Sequence, residues 1–414
     1  MTTSNNELNL NHYTNNMVIS FVVVMISVFG TWGLLIVDII DSKFAAIWIL
    51  SNVAGFILQR SRFCFASGFR DMFLFGSGSG LKAIIVGLSI STIGFAAIMF
   101  WLTPNPTLGM NPPEAHIFPV GISTVVGGLL FGFGMVVAGG CVSGNLYRLG
   151  EGYITSIGAL LGVMIGMGLL ILSWNWWYET SISLEPVIWL PSLLNLGYFG
   201  SILLTLVMFI LVFFGINWWE SRNGIPTISN SGNPVMALTF RDKLSHYYRV
   251  VFIEGWTSIV GGALLGGLAI IMFTVKKPFG VTGGIFDTVN GAISNLGFGP
   301  ETLNGLDQLG GCIGGTHDTI FTTALAMTIG TVTGSLIAAV ASGEFKLRFP
   351  PTPVRYIQGF FGGIFMGYGA GLAIGCTIGA LFSAIPSLSL SGWVFAIALS
   401  LGAFTGTKVV EKLI

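Results

Sequence analysis

Apolar residues of this chain are gathered into long blocks that are separated by shorter polar stretches. Each block is close to the roughly 20 residues that an α-helix needs to cross about 30 Å of hydrocarbon. The second block is the shortest of ten, which cover residues 17–37, 44–59, 82–101, 118–138, 154–173, 196–216, 250–273, 319–341, 355–374 and 389–408. The pattern predicts an all-α polytopic membrane protein with about ten transmembrane spans.

The composition narrows the class of protein further. The 414 residues are 53% apolar and 8% charged, with equal numbers of acidic and basic side chains and a mean hydropathy of +0.84. A soluble protein of this length needs a more highly charged surface, and a nucleic-acid-binding protein needs a basic face. The composition therefore excludes an ordinary soluble enzyme, a disordered chain and a nucleic-acid-binding protein. The 59 glycines, some of them at GxxxG spacing such as Gly158, Gly162 and Gly166, indicate closely packed membrane helices.

The basic residues predict how the spans are oriented, because Lys and Arg are enriched in cytoplasmic loops. They follow the even-numbered spans, whereas the loops 102–117, 174–195 and 375–388 contain neither residue. This alternation predicts ten spans with both termini in the cytoplasm. Lys276 and Lys277 are the exception, because they fall in a loop on the predicted outer side. The polar N-terminal stretch lacks the basic region of a signal peptide, so we expect the first span to be retained.

Two segments of the chain repeat. Residues 127–144 match residues 362–379 at a constant offset of 235, and residues 63–71 match residues 279–287 at an offset of 216. A unit of five spans must enter the membrane upside down in its second copy, so the repeat predicts an inverted 5+5 architecture, which is typical of transporters. We set the boundaries at residues 1–216 for the first repeat, 217–249 for a cytoplasmic linker and 250–414 for the second repeat.

The dipeptides Gly140–Cys141 and Gly375–Cys376 each end an apolar span. Glycine tolerates the backbone angles of a helix break, and a short re-entrant half-helix that restarts there would direct its positive N-terminal dipole inward. Such an end suits an anion. Cys64 begins a third interrupted segment that is too short to span the membrane.

The cysteines allow two interpretations. A lone cysteine in a membrane helix is most often a small apolar core residue, and we interpret Cys312 in that way. Cys64, Cys141 and Cys376 instead follow the helix breaks, and a buried thiol stays protonated. A neutral S–H group can donate to an anion, and its soft sulfur suits a ligand that contains sulfur or selenium.

The charged residues after the first Gly–Cys step also have two interpretations. Arg148 and Glu151 can anchor the chain at the membrane surface or form part of an inner mouth. The sequence contains no catalytic triad, nucleotide-binding loop or zinc-protease motif, so it predicts neither an enzyme nor a cofactor. No spacing of His and Cys predicts a metal site.

The repeated segment GGLLFGFGMVVAGGCVSGNLYRLGEG, the segment RSRFCFASGFRDMF and the C-terminal segment from Gly375 to Phe404 resemble the YeeE/YedE family of sulfur-related membrane transporters. The resemblance implies thiosulfate uptake across the inner (plasma) membrane. It also implies that Cys64, Cys141 and Cys376 line a constriction and bind the substrate through S–H···S hydrogen bonds. The helix breaks add Gly140 and Gly375 to the predicted substrate-binding residues. Some relatives are linked to selenium, and members are often paired with a small cytoplasmic sulfur carrier of the TusA type.

Three functions follow from these observations. The first is import of thiosulfate or a related sulfur-containing anion through a cysteine-lined constriction at the repeat interface. The second is a selenium-compound transporter or a membrane sulfur-relay subunit that carries a cysteine persulfide. The third is a passive channel for small neutral solutes. The absence of Lys or His beside Cys141 and Cys376 disfavours the reactive thiolate that a relay requires.

Overall fold

The computed structural model describes residues 22–25, 27, 29–31, 41–106, 111–193, 196–223, 254–275, 278–300, 302–309, 322–350 and 352–413. Within these ranges the chain is helical and has no strands, which confirms the all-α membrane class. Its α-helices are α1 Ser42–Ser61, α2 Phe65–Phe75, α3 Ser79–Leu102, α4 Ile122–Val137, α5 Val142–Gly150, α6 Thr155–Thr180, α7 Gly197–Asn223, α8 Ser258–Val275, α9 Gly283–Asn295, α10 Leu306–Leu309, α11 Thr323–Ala341, α12 Val354–Leu372 and α13 Leu390–Leu413. A 3-10 helix covers Ile182–Leu184, and a π-helix covers Thr377–Ser383.

Nine of the ten predicted spans fall on long helices of the described chain. Eight helical segments are long and apolar enough to cross a membrane, and the bent pair of α12 and the π-helix raises the number to nine. Most of the first predicted span and of the predicted linker lies outside the described residues. Cys312, Lys276 and Lys277 also lie outside them.

Two short breaks interrupt the helices where the sequence predicts them. The first break (residues 138–141) separates α4 from α5, and the second break (residues 373–376) separates α12 from the π-helix. Each passes through one left-handed residue, Gly139 with φ 73° and Ile374 with φ 56°. Glycine adopts this conformation freely, whereas an isoleucine there costs roughly 1–2 kcal/mol of backbone strain. Packing elsewhere in the fold must therefore offset the backbone strain at Ile374.

Glycines let the spans approach closely, as their spacing predicts. A Cβ atom at Gly162 or Gly166 of α6 would lie 2.1 Å from a backbone carbonyl oxygen of α12. A Cβ atom at Gly132 of α4 would lie 2.2 Å from the carbonyl oxygen of Leu399 in α13. Backbone contact of this kind supplies the van der Waals packing that holds membrane helices together.

The helix pairs form a mirrored pattern. Helix α6 packs on α12 and α13 packs on α4, while α11 packs on α1 and α3 packs on α8. The short helices show the same correspondence: α2 contacts α3 and α13, and α9 contacts α11 and α6. Helices α4 and α12 contact each other at the centre of this arrangement.

Hydrogen bonds and ion pairs sort the loops into two ends of the bundle. At the basic end (residues 59–62, 76–82, 151–155, 220–223, 254–257, 342–350 and 352–355), Gln59 bonds to Glu151 and Glu344, and the Arg348 amide bonds to the Gly152 carbonyl oxygen. At the opposite end (residues 103–106, 111–121, 181–193, 302–309 and 384–390), single β-bridges join Pro119 to Val187 and Trp189 to Ser389. The first break lies beside the basic end.

Candidate functional site

Cys64 and Cys141 meet inside the protein. Their Sγ atoms are 3.8 Å apart, although 77 residues separate them in the sequence. Both cysteines are buried and carry free thiols. Cys64 is the residue that precedes α2, and Cys141 is the residue that precedes α5. The N-terminal ends of two short helices, with their partial positive charge, therefore converge on this pair of sulfur atoms.

Polar groups of α5 surround the Cys141 side of this pair. The Gly144 amide donates to the Cys141 Sγ at 3.4 Å, and the Ser143 hydroxyl lies 3.3 Å from the same sulfur. Gly144 is also the spacer of the pair, because a Cβ atom there would lie 2.7 Å from the Cys64 Sγ and 3.3 Å from the Cys141 Sγ. Only glycine leaves room for both sulfur atoms at this position.

Side chains of α5 stabilise the backbone of the first break through hydrogen bonds. The Asn145 Nδ2 group donates to the carbonyl oxygens of Gly140 and Cys141, at 2.9 and 3.0 Å. The Arg148 guanidinium donates to the Gly139 carbonyl oxygen. A Cβ atom at Gly140 would lie 3.1 Å from the Arg148 Nη1 atom. Gly140 therefore contributes close backbone approach rather than a side chain, as the sequence predicts for a helix break.

A cleft of about 390 Å³ opens beside the first break at the basic end. Within the described chain its wall carries four arginines and no carboxylate; the arginines are Arg70, Arg148, Arg348 and Arg355. We call it the arginine cleft. Gly139 also lines it, so only Gly140 separates the cleft wall from Cys141 in the sequence. The predicted inner-mouth residue Arg148 lies in this wall.

Glu151, the other predicted inner-mouth residue, is not among the residues that line the cleft. Its buried carboxylate accepts a hydrogen bond from Gln59 Nε2 at 3.1 Å and lies 3.9 Å from the Arg348 Nη1 atom. Burial raises the pKa of the Glu151 carboxyl, while the Gln59 hydrogen bond and the Arg348 charge act in the opposite direction. Glu151 thus ties α1 to the loop that carries Arg348.

Cys376 lies apart from the sulfur pair. It is fully buried at the second break, and its side chain makes no capping hydrogen bond to the π-helix. The Gly379 carbonyl oxygen lies 3.2 Å from the Nδ1 atom of buried His116. A Cβ atom at Gly375 would lie 2.8 Å from the Ala380 nitrogen, so this glycine also allows tight backbone packing. The structure gives Cys376 no sulfur neighbour among the described cysteines.

An aromatic contact connects the two regions. The rings of Phe65 in α2 and Phe382 in the π-helix are 5.7 Å apart and meet edge to face. Phe63 packs against Phe65 in turn, at 5.2 Å. The helix that follows Cys64 and the helix that follows Cys376 therefore touch through buried phenylalanines.

Sequence reasoning missed three residues of the cleft: Arg348, Arg355 and Tyr153. Tyr153 stacks on the Arg348 guanidinium, with 4.6 Å from Cζ to the ring centroid. The arginines gave a signal only as positive charge on the predicted inner side, and nothing in the sequence pairs them with Arg148. The described residues contain no group of three His, Cys, Asp or Glu side chains that could hold a metal ion.

Comparison with known proteins identifies the family of this chain. A family model for sulphur transport matches residues 60–405. The chain belongs to the sulphur transport family. This result confirms the resemblance to YeeE/YedE proteins. With the eight or nine candidate spans of the described residues, it makes the chain a multi-pass membrane protein of a transporter family.

Individual relatives match over most of their length. The chain is 31% identical over 372 residues to the thiosulfate transporter TsuA of Spirochaeta thermophila, covering 85% of this chain and 94% of the relative. It is 28% identical over 364 residues to the thiosulfate transporter TsuA of Escherichia coli, covering 87% and 93%. The chain is also 32% identical over 201 residues to the probable transporter YedE of Escherichia coli. This shorter match covers 48% of this chain and 47% of the relative.

Proposed function

We propose that this chain imports thiosulfate, or a closely related sulfur-containing anion, across the plasma membrane. Cys64 and Cys141 would contact the terminal sulfur of the anion. The observation that carries the proposal is their 3.8 Å Sγ–Sγ contact at the N-terminal ends of two short helices. The two full-length TsuA relatives support thiosulfate as the substrate.

The chemistry of the pair suits a sulfur-containing dianion. A bare dianion is costly inside a membrane, and the two helix ends offset part of that cost through their partial positive charge. A protonated thiol donates to the anion without adding negative charge, and its polarizable sulfur suits a terminal sulfur atom. Sulfate lacks such an atom, so the pair would favour thiosulfate over sulfate.

Cys376 would be a second contact point along the same path. The Phe65–Phe382 contact supports this arrangement, because it joins the short helices that follow Cys64 and Cys376. The anion would then pass a constriction lined by the three cysteines and bordered by buried aromatic rings. Arg148 would mark the inner mouth, with Glu151 fixing the neighbouring loop.

The inverted repeat remains part of the proposal, and the mirrored helix packing supports it. Under this proposal α4 corresponds to α12, α6 to α13, α1 to α8 and α3 to α11. Helix α7 contacts α3, while Val24 of the first predicted span shares a cavity with Gly334 of α11. This favours pairing α7 with the first span. Residues 1–216 contain six of the ten predicted spans, so the proposed repeat boundary moves from residue 216 to the loop between α6 and α7.

The basic end would face the cytoplasm, because basic loops are retained on that side. Both termini would then be cytoplasmic, as the sequence predicts. A small sulfur carrier of the TusA type would dock at this end. The four cleft arginines support such a role, since they would concentrate anions where a carrier could dock.

Uptake of ³⁵S-labelled thiosulfate into cells that lack other thiosulfate importers tests the proposal. We expect uptake with the intact chain, and loss of uptake with Cys64→Ala and with Cys141→Ala at matched levels of membrane expression. Cys312→Ala is the control, because it makes the same chemical change at a cysteine outside the predicted site. Normal uptake by both pair variants would contradict the role of the pair. A well-expressed intact chain without uptake would contradict thiosulfate import and favour the selenium or relay alternatives.

A further inference from the structure

We propose that the arginine cleft is a second anion site, separate from the cysteine pair, which binds tetrahedral sulfur oxyanions by charge. The proposal rests on the proposed transport function, because it gives the anion a binding station at the cytoplasmic side of the sulfur pair. Its ligand class is the doubly charged oxyanion, of which sulfate is the simplest probe. The site would not require a terminal sulfur atom.

The first argument is the charge of the cleft. Arg148 and Arg355 have no ion-pair partner among the described residues. Arg70 is paired with Asp71 at 2.8 Å, and Arg348 lies 3.9 Å from a Glu151 oxygen. These two carboxylates offset only part of the four positive charges. The cleft therefore carries a net positive charge in a wall that has no acidic residue of its own.

The second argument is the geometry of the donors. A guanidinium presents several N–H groups in one plane, which matches the oxygen atoms of a tetrahedral oxyanion better than a lysine does. The Arg348 guanidinium is held in place by the Tyr153 ring and by a 2.9 Å hydrogen bond to the Glu344 carbonyl oxygen. The Arg148 guanidinium is held by the Gly139 carbonyl oxygen. Two of the four donors are thus positioned before any ligand binds.

The third argument is the location of the cleft. Its wall includes Gly139, and the Arg148 Nη1 atom lies beside Gly140, next to Cys141 in the chain. An anion that leaves the sulfur pair toward the basic end therefore meets Arg148 first. The cleft would draw the anion inward by charge after the pair has selected it by its sulfur.

The two sites can be tested separately, because they would recognise different parts of the anion. Sulfate has the charge and oxygen atoms that the cleft recognises, but it lacks the terminal sulfur that the cysteine pair would recognise. Sulfate binding that persists without the Cys141 thiol therefore reports on the cleft. Binding of ³⁵S-labelled sulfate to the purified full-length protein in low-salt detergent buffer is the measurement, because screening weakens exposed charges at high ionic strength.

The test variant is Arg70→Gln combined with Arg355→Gln, which removes two partly exposed charges and leaves the break contacts of Arg148 in place. The control is Arg62→Gln combined with Arg222→Gln, which removes two charges from the same end of the bundle outside the cleft. We expect the intact protein and the control to bind sulfate, and the test variant to bind it about tenfold more weakly. Absence of sulfate binding to the intact protein, or equal weakening in both double variants, would overturn the proposal.

Cys141→Ala distinguishes failure of the cleft from failure of the proposed function. We expect this variant to lose thiosulfate uptake yet to bind sulfate within about twofold of the intact protein. Sulfate binding that disappears with Cys141 would overturn the separate cleft site, because it would mean that one site serves both anions. An intact protein that binds sulfate at the cleft but transports no thiosulfate would contradict the transport function and leave the cleft site standing.

Discussion

The two breaks share a sequence motif but differ in their chemistry. At the first break, Cys141 contacts Cys64, the Ser143 hydroxyl and the Gly144 amide, and the arginine cleft opens beside it. At the second break, Cys376 is buried without a capping hydrogen bond or a sulfur neighbour among the described cysteines. Both cysteines precede a short helix and follow a left-handed residue. Two breaks of similar sequence therefore differ in their sulfur groups, since the first joins two thiols and the second carries one.

The residues at equivalent positions explain the difference. At the offset of 235 residues, Ser143 corresponds to Ile378 and Arg148 corresponds to Ser383. At the offset of 216 residues, Cys64 corresponds to Gly280. At these positions the second break has no second thiol, no counterpart of the Ser143 hydroxyl and no guanidinium. The matched glycine and cysteine positions coincide with the breaks, whereas the unmatched side chains decide what each break can bind.

The largest expected effect comes from joining the two sulfur atoms of the first break. Treatment with iodine should oxidise the Cys64 and Cys141 thiols to a disulfide, with loss of two protons and two electrons to the oxidant. Uptake of thiosulfate, assayed after the iodine is removed, should fall to background because neither thiol can donate. Reduction with dithiothreitol should restore it. Peptide mass spectrometry should find Cys64 linked to Cys141, and a link to Cys376 instead would contradict the described contact.

Replacement of single cysteines should show that thiosulfate uptake depends more on the first break than on the second. A hydrogen bond to a charged group contributes roughly 1.5–3 kcal/mol, and each 1.4 kcal/mol changes an equilibrium about tenfold. We expect Cys64→Ala and Cys141→Ala to lower thiosulfate uptake about a hundredfold, since each removes one donor and disturbs its neighbour. Cys376→Ala should lower it about tenfold, because it removes a donor without a sulfur partner. Initial rates of thiosulfate uptake at equal expression measure these losses. Equal losses for Cys141→Ala and Cys376→Ala would contradict the predicted difference between the two breaks.

A methyl group at Gly144 should disturb the sulfur pair without changing either cysteine. The Cβ atom of Gly144→Ala would lie 2.7 Å from the Cys64 Sγ, so the sulfur atom must move. We expect uptake to fall roughly tenfold, the effect of losing about one charged hydrogen bond. Gly267→Ala is the matched control, because a Cβ atom there meets no atom within 4 Å. Similar uptake by both glycine variants would show that the spacing of the sulfur pair is unimportant.

The smallest expected effect concerns the hydroxyl beside Cys141. Ser143→Ala removes a neutral contact of 3.3 Å to the Cys141 Sγ, and such a hydrogen bond contributes about 0.5–1.5 kcal/mol. Uptake should fall roughly threefold at low thiosulfate concentration. The matching change at the second break is Ile378→Val, which touches no polar group of this kind and should leave the rate within error. A larger loss of uptake from Ile378→Val than from Ser143→Ala would contradict the greater importance of polar groups at the first break.

Much of the fold could be predicted from the sequence because membrane helices are constrained by length and apolarity. The nine spans within the described chain fell where hydropathy placed them, and the breaks fell at Gly140–Cys141 and Gly375–Cys376. Close packing along the α6–α12 contact also followed from the spacing of Gly162 and Gly166. These features depend on local composition, which a single sequence contains.

The assembled site could be predicted only in part. Cys64 and Cys141 were both candidates, but their contact depends on how two helix starts converge across 77 residues. Arg348 and Arg355 join Arg148 in one cleft only because their loop returns to the basic end. Long-range pairing of this kind leaves no periodicity or motif in one sequence. The π-helical form of residues 377–383 was missed for the same reason, since its backbone is held by tertiary packing.

The most direct measurement is a structure of the protein with selenosulfate, whose selenium stands in for the terminal sulfur of thiosulfate and can be located by its anomalous scattering. The central claim is that Cys64 and Cys141 together recognise that atom. The account predicts a selenium peak within hydrogen-bonding distance of both Sγ atoms, with the oxygen atoms directed toward the helix N-termini. A selenium peak found only in the arginine cleft, or only beside Cys376, would contradict the account.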